Sequence, residues 1–276
     1  MPHAYPYCRG CYHEPKGVPP ILQVSVLASS SSGNSTLVST DRTRLLIDAG
    51  LSRKETFERL AAIGVAPESL DAILITHEHS DHVAGLPATA KKLDIPVYCS
   101  RLTAPEIPWG EFSPKLELFQ AGASFVVGDI DIDSFTIPHD AADPVGFSFR
   151  TQGLKVSIAT DLGYLPESVR QQIQGSDVLL LESNHDLEML KVGPYPWSVK
   201  QRVMGRMGYL SNEVACGFIR EMLDSRTSTL ILGHLSEHNN HPEIVRLMAQ
   251  QSLEERSLAP TLVVAEPGKA QAACIY

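Results

Sequence analysis

The chain has 276 residues, 43% hydrophobic and 20% charged, enough apolar material for a well-cored globular unit, which excludes a disordered or fibrous protein. Its formal net charge of −9 means that no global positive field advertises nucleic-acid binding. Carboxylates that hold metal would have their charge cancelled, however, so DNA and RNA substrates stay open. No apolar run approaches the roughly 20 residues that cross a bilayer, and no membrane partner is expected.

Residues 1–20 contain Pro, Tyr and Gly without periodicity and read as an N-terminal extension, with residues 21–276 as a single domain. The start, Met1-Pro2-His3-Ala4-Tyr5, lacks a basic stretch leading into an apolar one, and a cytoplasmic location is expected. Cys8-Arg9-Gly10-Cys11, flanked by His3 and His13, has enough ligand atoms for a small zinc knuckle, but no second CxxC or paired HxxxH accompanies it. A tail with two free thiols is the favoured reading of the same residues. Cys99, Cys216 and Cys274 lie in apolar surroundings and read as buried thiols, in keeping with a reducing compartment.

A first strand is expected at Ile21 to Leu27, followed by a tight polar loop over Ser29 to Ser35. Strand-like Leu45 to Asp48, an amphipathic helix from Arg53 to Ile63, a strand at Ala72 to Ile75, a helix at Pro87 to Leu93 and a strand at Val97-Tyr98 come next. A second set of strands is expected near 124–127, 130–137, 145–150, 155–159 and 178–181. Helices are expected near 166–172, 196–207, 212–224 and 242–255. Strands alternating with helices in two β-rich halves predict an α/β protein built as a four-layer αββα sandwich.

The run Thr76-His77-Glu78-His79-Ser80-Asp81-His82 places three imidazoles and two carboxylates in seven positions directly after a buried strand. Neutral imidazole nitrogen beside carboxylate oxygen suits zinc, manganese or iron, and the number of ligands suggests two ions. Other apolar runs end in the same way: Ile137-Pro138-His139-Asp140, Ala159-Thr160-Asp161, Leu181-Glu182-Ser183-Asn184-His185-Asp186 and Leu232-Gly233-His234.

In order along the chain, Asp48, the His77-x-His79-x-Asp81-His82 block, His139, Asp161 and His234 resemble the motif series of the metallo-β-lactamase-fold hydrolases, from Ile21 onward. That resemblance implies one metal held by His77, His79 and His139, a second held by Asp81, His82 and His234, and Asp161 bridging the two. It also implies that Asp48 supports the ligand histidines by hydrogen bonding, a helix cap or turn being the plainer reading. In such sites two divalent ions, here zinc or manganese with iron open, lower the pKa of a bridging water so that hydroxide is the nucleophile. Asp81 and Asp161 then serve catalysis directly. His185 is read as an active-site residue suited to proton donation, His238 as a weaker candidate, and a satisfied core histidine is the bland reading of either.

The blocks Ser29 to Ser35, Glu182 to Asp186, Tyr195 to Val203, Gly208 to Asn212 and Gly233 to Ser236 with Asn239-Asn240 are together similar to the YycJ/WalJ-type bacterial exonuclease branch. The resemblance implies 5′-to-3′ exonuclease action on a DNA end. One position departs: Tyr209 stands where that branch commonly has His. Ser31 and Asn34 in the polar loop, and Lys200, Arg202 and Tyr209 further on, are the expected substrate contacts, with Arg206 and Lys191 nearby. Tyr195 and Trp197 could stack a terminal base or merely pack a helix start.

A small-molecule, cyclic phosphodiesterase is the main alternative; a resemblance to phosphoribosyl cyclic phosphate hydrolases would imply a cysteine-rich zinc segment after the first strand, and Ser29 to Ser35 in that place counts against it. A non-catalytic binding scaffold is remoter, because all seven expected ligand positions carry His or Asp. A homodimer is the base-rate expectation for assembly.

Overall fold

The computed structural model describes residues 22–266, 268–270 and 274–275; the Cys8/Cys11 leader lies outside them. The first half holds β1 (Gln23–Ala28), β2 (Ser35–Ser39), β3 (Arg44–Ile47), α1 (Arg53–Ala62), β4 (Ala72–Leu74), α2 (Ser80–Val83), α3 (Leu86–Leu93), β5 (Val97–Ser100) and β6 (Leu116–Phe119). Then come β7 (Ser124–Val127), β8 (Ile130–Thr136), β9 (Val145–Thr151), β10 (Leu154–Ala159), α4 (Glu167–Ile173), β11 (Val178–Glu182), α5 (Leu187–Val192), α6 (Trp197–Val203) and α7 (Asn212–Met222). The described chain closes with β12 (Thr229–Gly233), α8 (Pro242–Glu255), β13 (Thr261–Val264) and β14 (Cys274–Ile275).

Among the described residues these strands form two seven-stranded sheets, in the orders β14-β1-β2-β3-β4-β5-β6 and β13-β12-β11-β10-β9-β8-β7. The sheets pack face to face through Val24, Val26, Leu45 and Leu74 on one side and Ile132, Phe147, Phe149, Ile158 and Leu180 on the other. The outer face of the first sheet packs with α1 and α3 through Leu37, Leu46, Leu60, Ile73 and Leu86. The outer face of the second packs with α4, α7 and α8 through Leu179, Leu181, Val169, Phe218 and Val245. The layer order is αββα, as the alternating pattern predicts.

Successive strand residues point to opposite faces, and here both faces are covered, so an unbroken apolar run such as Val178-Leu179-Leu180-Leu181 divides its side chains between two cores. β2 escapes a sequence reading because Ser35-Thr36-Leu37-Val38-Ser39 is polar at three of five places without alternation, although every one of its residues is buried. The expected helix over 196–207 stops at Val203, with Gly205 and Gly208 in the turn that follows.

In the first sheet β3, β4, β5 and β6 run parallel, and in the second β10, β11, β12 and β13 do. Parallel strands deliver their carboxyl ends to one rim, where open α/β sheets characteristically bind their ligands. Asp48 follows β3, His77 follows β4, Asp161 follows β10 and His234 follows β12, all on that rim. Among the described residues no helix is long and apolar enough to cross a membrane.

Candidate metal centre

Two clusters gather at the rim: His77, His79 and His139 in one, and Asp81, His82, Asp161 and His234 in the other, each with its ligand atoms within 4.8 Å of one another. Both clusters draw on both sheets. His79 Nδ1 is 3.2 Å from His139 Nε2, and Asp161 Oδ1 is 3.9 Å from that same nitrogen. In the second cluster His82 Nε2 lies 3.4 Å from an oxygen of each of Asp81 and Asp161, and His234 Nε2 lies 3.6 Å from Asp81. Asp161 therefore touches both groups.

Four of the five imidazoles have their Nδ1 beside an acceptor, which turns Nε2 toward the cluster. His82 Nδ1 donates to Asp48 at 2.8 Å and His234 Nδ1 to Glu182 at 2.7 Å. His139 Nδ1 donates to the Gly208 carbonyl at 3.2 Å. Beside His77 Nδ1, at 3.0 Å, is the Thr76 hydroxyl, whose own hydrogen is directed to Asp48 at 2.9 Å. Asp48 thus serves two neighbours at once, holding His82 directly and Thr76 through both hydroxyl and backbone N–H.

Local backbone geometry aims the ligands. Asp48, Asp161 and His234 each adopt left-handed backbone at φ of 60°, 61° and 57°, within two residues of the ends of strands β3, β10 and β12. Such conformations cost a non-glycine residue about 1–3 kcal/mol and persist where surrounding contacts determine them. Here those contacts include Asp48 N–H to the Leu74 carbonyl at 2.8 Å, and His234 N–H to the Ser29 hydroxyl at 2.7 Å. Gly50 sits so close to the Asp81 carbonyl that a Cβ would lie 1.6 Å from its oxygen.

Burial pushes the pKa of His77 and of His139 down. His82 and His234 are also desolvated, but Asp161 and the nearby carboxylates outweigh burial and raise both, His234 to about 10. Burial opposes ionisation of Asp161, and His234 and His82 more than reverse it, so its pKa falls well below the usual carboxylate range. The cluster's own side chains thus form a set of mutually compensating charges.

The residues fit divalent cations on one observation above others. His77 Nε2, His234 Nε2 and Asp161 Oδ2 are buried without a hydrogen-bond partner. Orphaned buried polar atoms are rare and ask for a reason. Three ligand-type atoms on the two clusters have one in cations, which neutral imidazole and carboxylate both bind.

Glu182 is the site residue that sequence reading leaves without a role. It closes the apolar strand β11, is fully buried, and accepts from Leu162 N–H at 3.0 Å and Leu210 N–H at 2.8 Å as well as from His234. A lone acid ending an all-apolar strand was its signal.

The expected substrate contacts separate. Tyr209 lies across the centre, its ring 5.4 Å from that of His139 and 5.6 Å from that of His234. Arg202 is at the edge, donating to Asp140 at 2.6 Å, and Asp140 is 3.5 Å from His139. Ser31 is exposed on its loop. Asn34 faces inward: its amide is 3.2 Å from Asp81 and 3.0 Å from His82 Nε2, so it braces the second cluster.

Lys200 corrects the reading of a free phosphate clamp, because it is only 8% exposed and its ammonium donates to the Lys191 carbonyl at 2.8 Å. Helical spacing put Lys200 beside Arg202 in sequence but could not reveal which side packs inward. His185 is buried, with Nδ1 unpartnered, and burial lowers its pKa to about 4. Among the described residues no hydrogen bond or ring contact joins it to the seven cluster residues. His238 is exposed and meets Tyr195 edge-on at 5.9 Å.

Fold and rim define the class of protein: residues 43–234 match the Beta-lactamase superfamily domain. A solved metallo-β-lactamase fold protein, YhfI from Bacillus subtilis, superimposes with a TM-score of 0.71 at 16% identity, covering 91% of this chain and 99% of its own. Exodeoxyribonuclease YycJ of Bacillus anthracis is 40% identical over 238 residues, 85% of this chain and 90% of the relative. Exodeoxyribonuclease WalJ of Streptococcus pneumoniae is 38% identical over 242 residues, 86% and 90% of the two chains. The chain belongs to the YycJ/WalJ family of metallo-β-lactamase-fold hydrolases.

Proposed function

We propose that this protein is a two-metal exodeoxyribonuclease that releases nucleotides from the 5′ end of DNA. The observation that carries the reading is the convergence of the orphaned atoms His77 Nε2, His234 Nε2 and Asp161 Oδ2 on two adjoining clusters, in a chain similar along most of its length to named exodeoxyribonucleases. His77, His79 and His139 would hold one ion, Asp81, His82 and His234 the other, and Asp161 both; zinc and manganese suit this donor set, with iron open. When bound, the ions supply an activated water nucleophile and neutralise charge that develops on the phosphoryl oxygens.

The remaining work falls to the chain. Asp48 and Glu182 hold Nδ1 of His82 and His234, fixing ring orientation so that Nε2 is the nitrogen that would face an ion. Tyr209 covers both clusters, where its phenol, raised in pKa by burial and by Asp161, Glu182 and Asp81, stays a neutral hydrogen-bond donor for a phosphate oxygen. Arg202 keeps guanidinium nitrogens beyond its bond to Asp140 with which to meet a second oxygen.

A cyclic phosphodiesterase and a non-catalytic scaffold are less well supported: the chain-long relatives are named for DNA, and every expected ligand position is filled. The test is nucleotide release from a 5′-phosphorylated, end-labelled DNA strand with manganese or zinc, beside a cyclic phosphodiester and with Asp161→Ala as control. Stepwise release that Asp161→Ala abolishes is the expected result; turnover of the cyclic ester alone would reassign the substrate.

A further inference from the structure

Glu78 stands between His77 and His79, two of the residues that would hold the first ion, and belongs to neither cluster. Its carboxyl turns the other way. Oε1 accepts the backbone N–H of Ala142 at 2.7 Å, 64 residues further along, and Oε2 is buried without a partner. A solvated acid in a polar loop would show neither a short bond to distant main chain nor a buried oxygen.

Ala142 lies in the segment that joins β8 to β9 and carries His139, the third residue of that cluster. The segment has no helix or strand of its own, and Asp140 and Ala142 are exposed on it. Main-chain bonds fix its two ends, from Gly163 N–H to the Pro138 carbonyl at 3.0 Å and from Val145 N–H to the Thr76 carbonyl at 3.0 Å. Between them Arg202 holds Asp140 at 2.6 Å from the side of α6, while the first sheet contributes Glu78 and a longer contact, 3.4 Å from the Thr103 hydroxyl to the Asp143 carbonyl. His139 comes from the second sheet to meet two residues of the first, so the placement of this segment sets the width of the cluster.

We infer that Glu78 is a positioning residue: through the Ala142 N–H it holds the His139 segment at the distance from His77 and His79 that the first ion requires. It acts as a hydrogen-bond acceptor and does not touch the ion. This role rests on the two-metal reading of the site and names a remote contact on which its first half depends. A ligand on a loop that samples several positions loses conformational freedom when an ion binds; the bond to Glu78 removes that freedom beforehand.

Zinc uptake is measured by competition with a chromogenic chelator in the parent, in Glu78→Ala, in Glu78→Gln and, as a marker, in His139→Ala. The marker lacks one residue of the first cluster, so the binding step it weakens is that of the first ion. Glu78→Ala should weaken the same step about 10- to 100-fold and leave the other unmoved. Glu78→Gln keeps an accepting oxygen and loses no bond at Oε2, so it should match the parent. Metal-free unfolding temperatures of the parent and both Glu78 variants should coincide, because Ala142 is exposed and its freed N–H turns to water.

Unchanged zinc binding in Glu78→Ala overturns the inference. So does Glu78→Gln as weak as Glu78→Ala, since charge rather than the hydrogen bond would then be responsible. Equal weakening of both steps with a lowered metal-free unfolding temperature would overturn it in favour of a general structural role. Parent protein that takes up both ions, and loses the first in Glu78→Ala, yet releases no nucleotide from DNA would sink the exodeoxyribonuclease reading and leave the role of Glu78 standing.

Discussion

Glu182 accepts the Nδ1 proton of His234 at 2.7 Å while its other oxygen takes the backbone N–H groups of Leu162 and Leu210. One buried carboxylate thereby ties the loop after β10, the loop before α7 and a candidate ligand into a single arrangement. Its negative charge also raises the basicity of the imidazole it holds.

The Glu182→Gln substitution keeps the shape but puts an amide hydrogen-bond donor against groups that already donate. Metal affinity should fall about 10- to 100-fold, as for other residues that orient ligands. Chelator competition measures this, with the circular dichroism spectrum unchanged; parent-like affinity would show that Glu182 only packs.

Tyr209→Phe removes a phenol oxygen and Tyr209→His puts an imidazole in its place. Both should bind metal as the parent does, since Tyr209 contacts the rings of His139 and His234 without bonding to either. Nucleotide release should change in rate, slower for Phe; identical kinetics in all three would make the phenol a bystander.

His185 has a folded pKa of about 4 against an ordinary value of 6.5. The unfolded chain takes up a proton that the buried ring refuses, so the stability linked to His185 is complete above pH 6.5 and is lost as pH falls toward 4. The loss amounts to about 3 kcal/mol at the lower limit. Thermal unfolding of His185→Leu should depend less steeply on pH over that window than the parent; parallel curves would contradict the burial argument.

A methyl group at Gly50 would meet the Asp81 carbonyl oxygen at 1.6 Å. Gly50→Ala should destabilise the fold by about 1–3 kcal/mol, the usual cost of overpacking, and weaken metal retention at the cluster containing Asp81. Calorimetry and metal analysis on the same preparation check both effects together.

Local order made much of this legible. The histidine and aspartate block follows a strand and runs into the helical turn of α2, so its ligands fall within a few residues of one another, and Asp161 and His234 announce themselves where apolar runs end. Features set by remote contact were hidden. Asn34 braces a cluster 47 residues away, Lys200 reaches back to the Lys191 carbonyl in α5, and Glu182 gains a role only because Leu162, Leu210 and His234 meet it. Polar β2 was missed because what buries it lies in other strands.

Each cluster draws ligands from both sheets: His139 joins His77 and His79 from 60 residues beyond His79, and His234 joins Asp81 and His82 from still further along.

 An ion bound in either one therefore works as a rivet between the two halves. Neither ligand set exists until the sheets have docked, so metal has little to hold in the unfolded chain, and by mass action it favours the assembled form. With metal bound, the rim is in this sense also a clasp: removing the metal with a chelator should lower the unfolding temperature, by an amount that grows with the free metal concentration of the loaded reference.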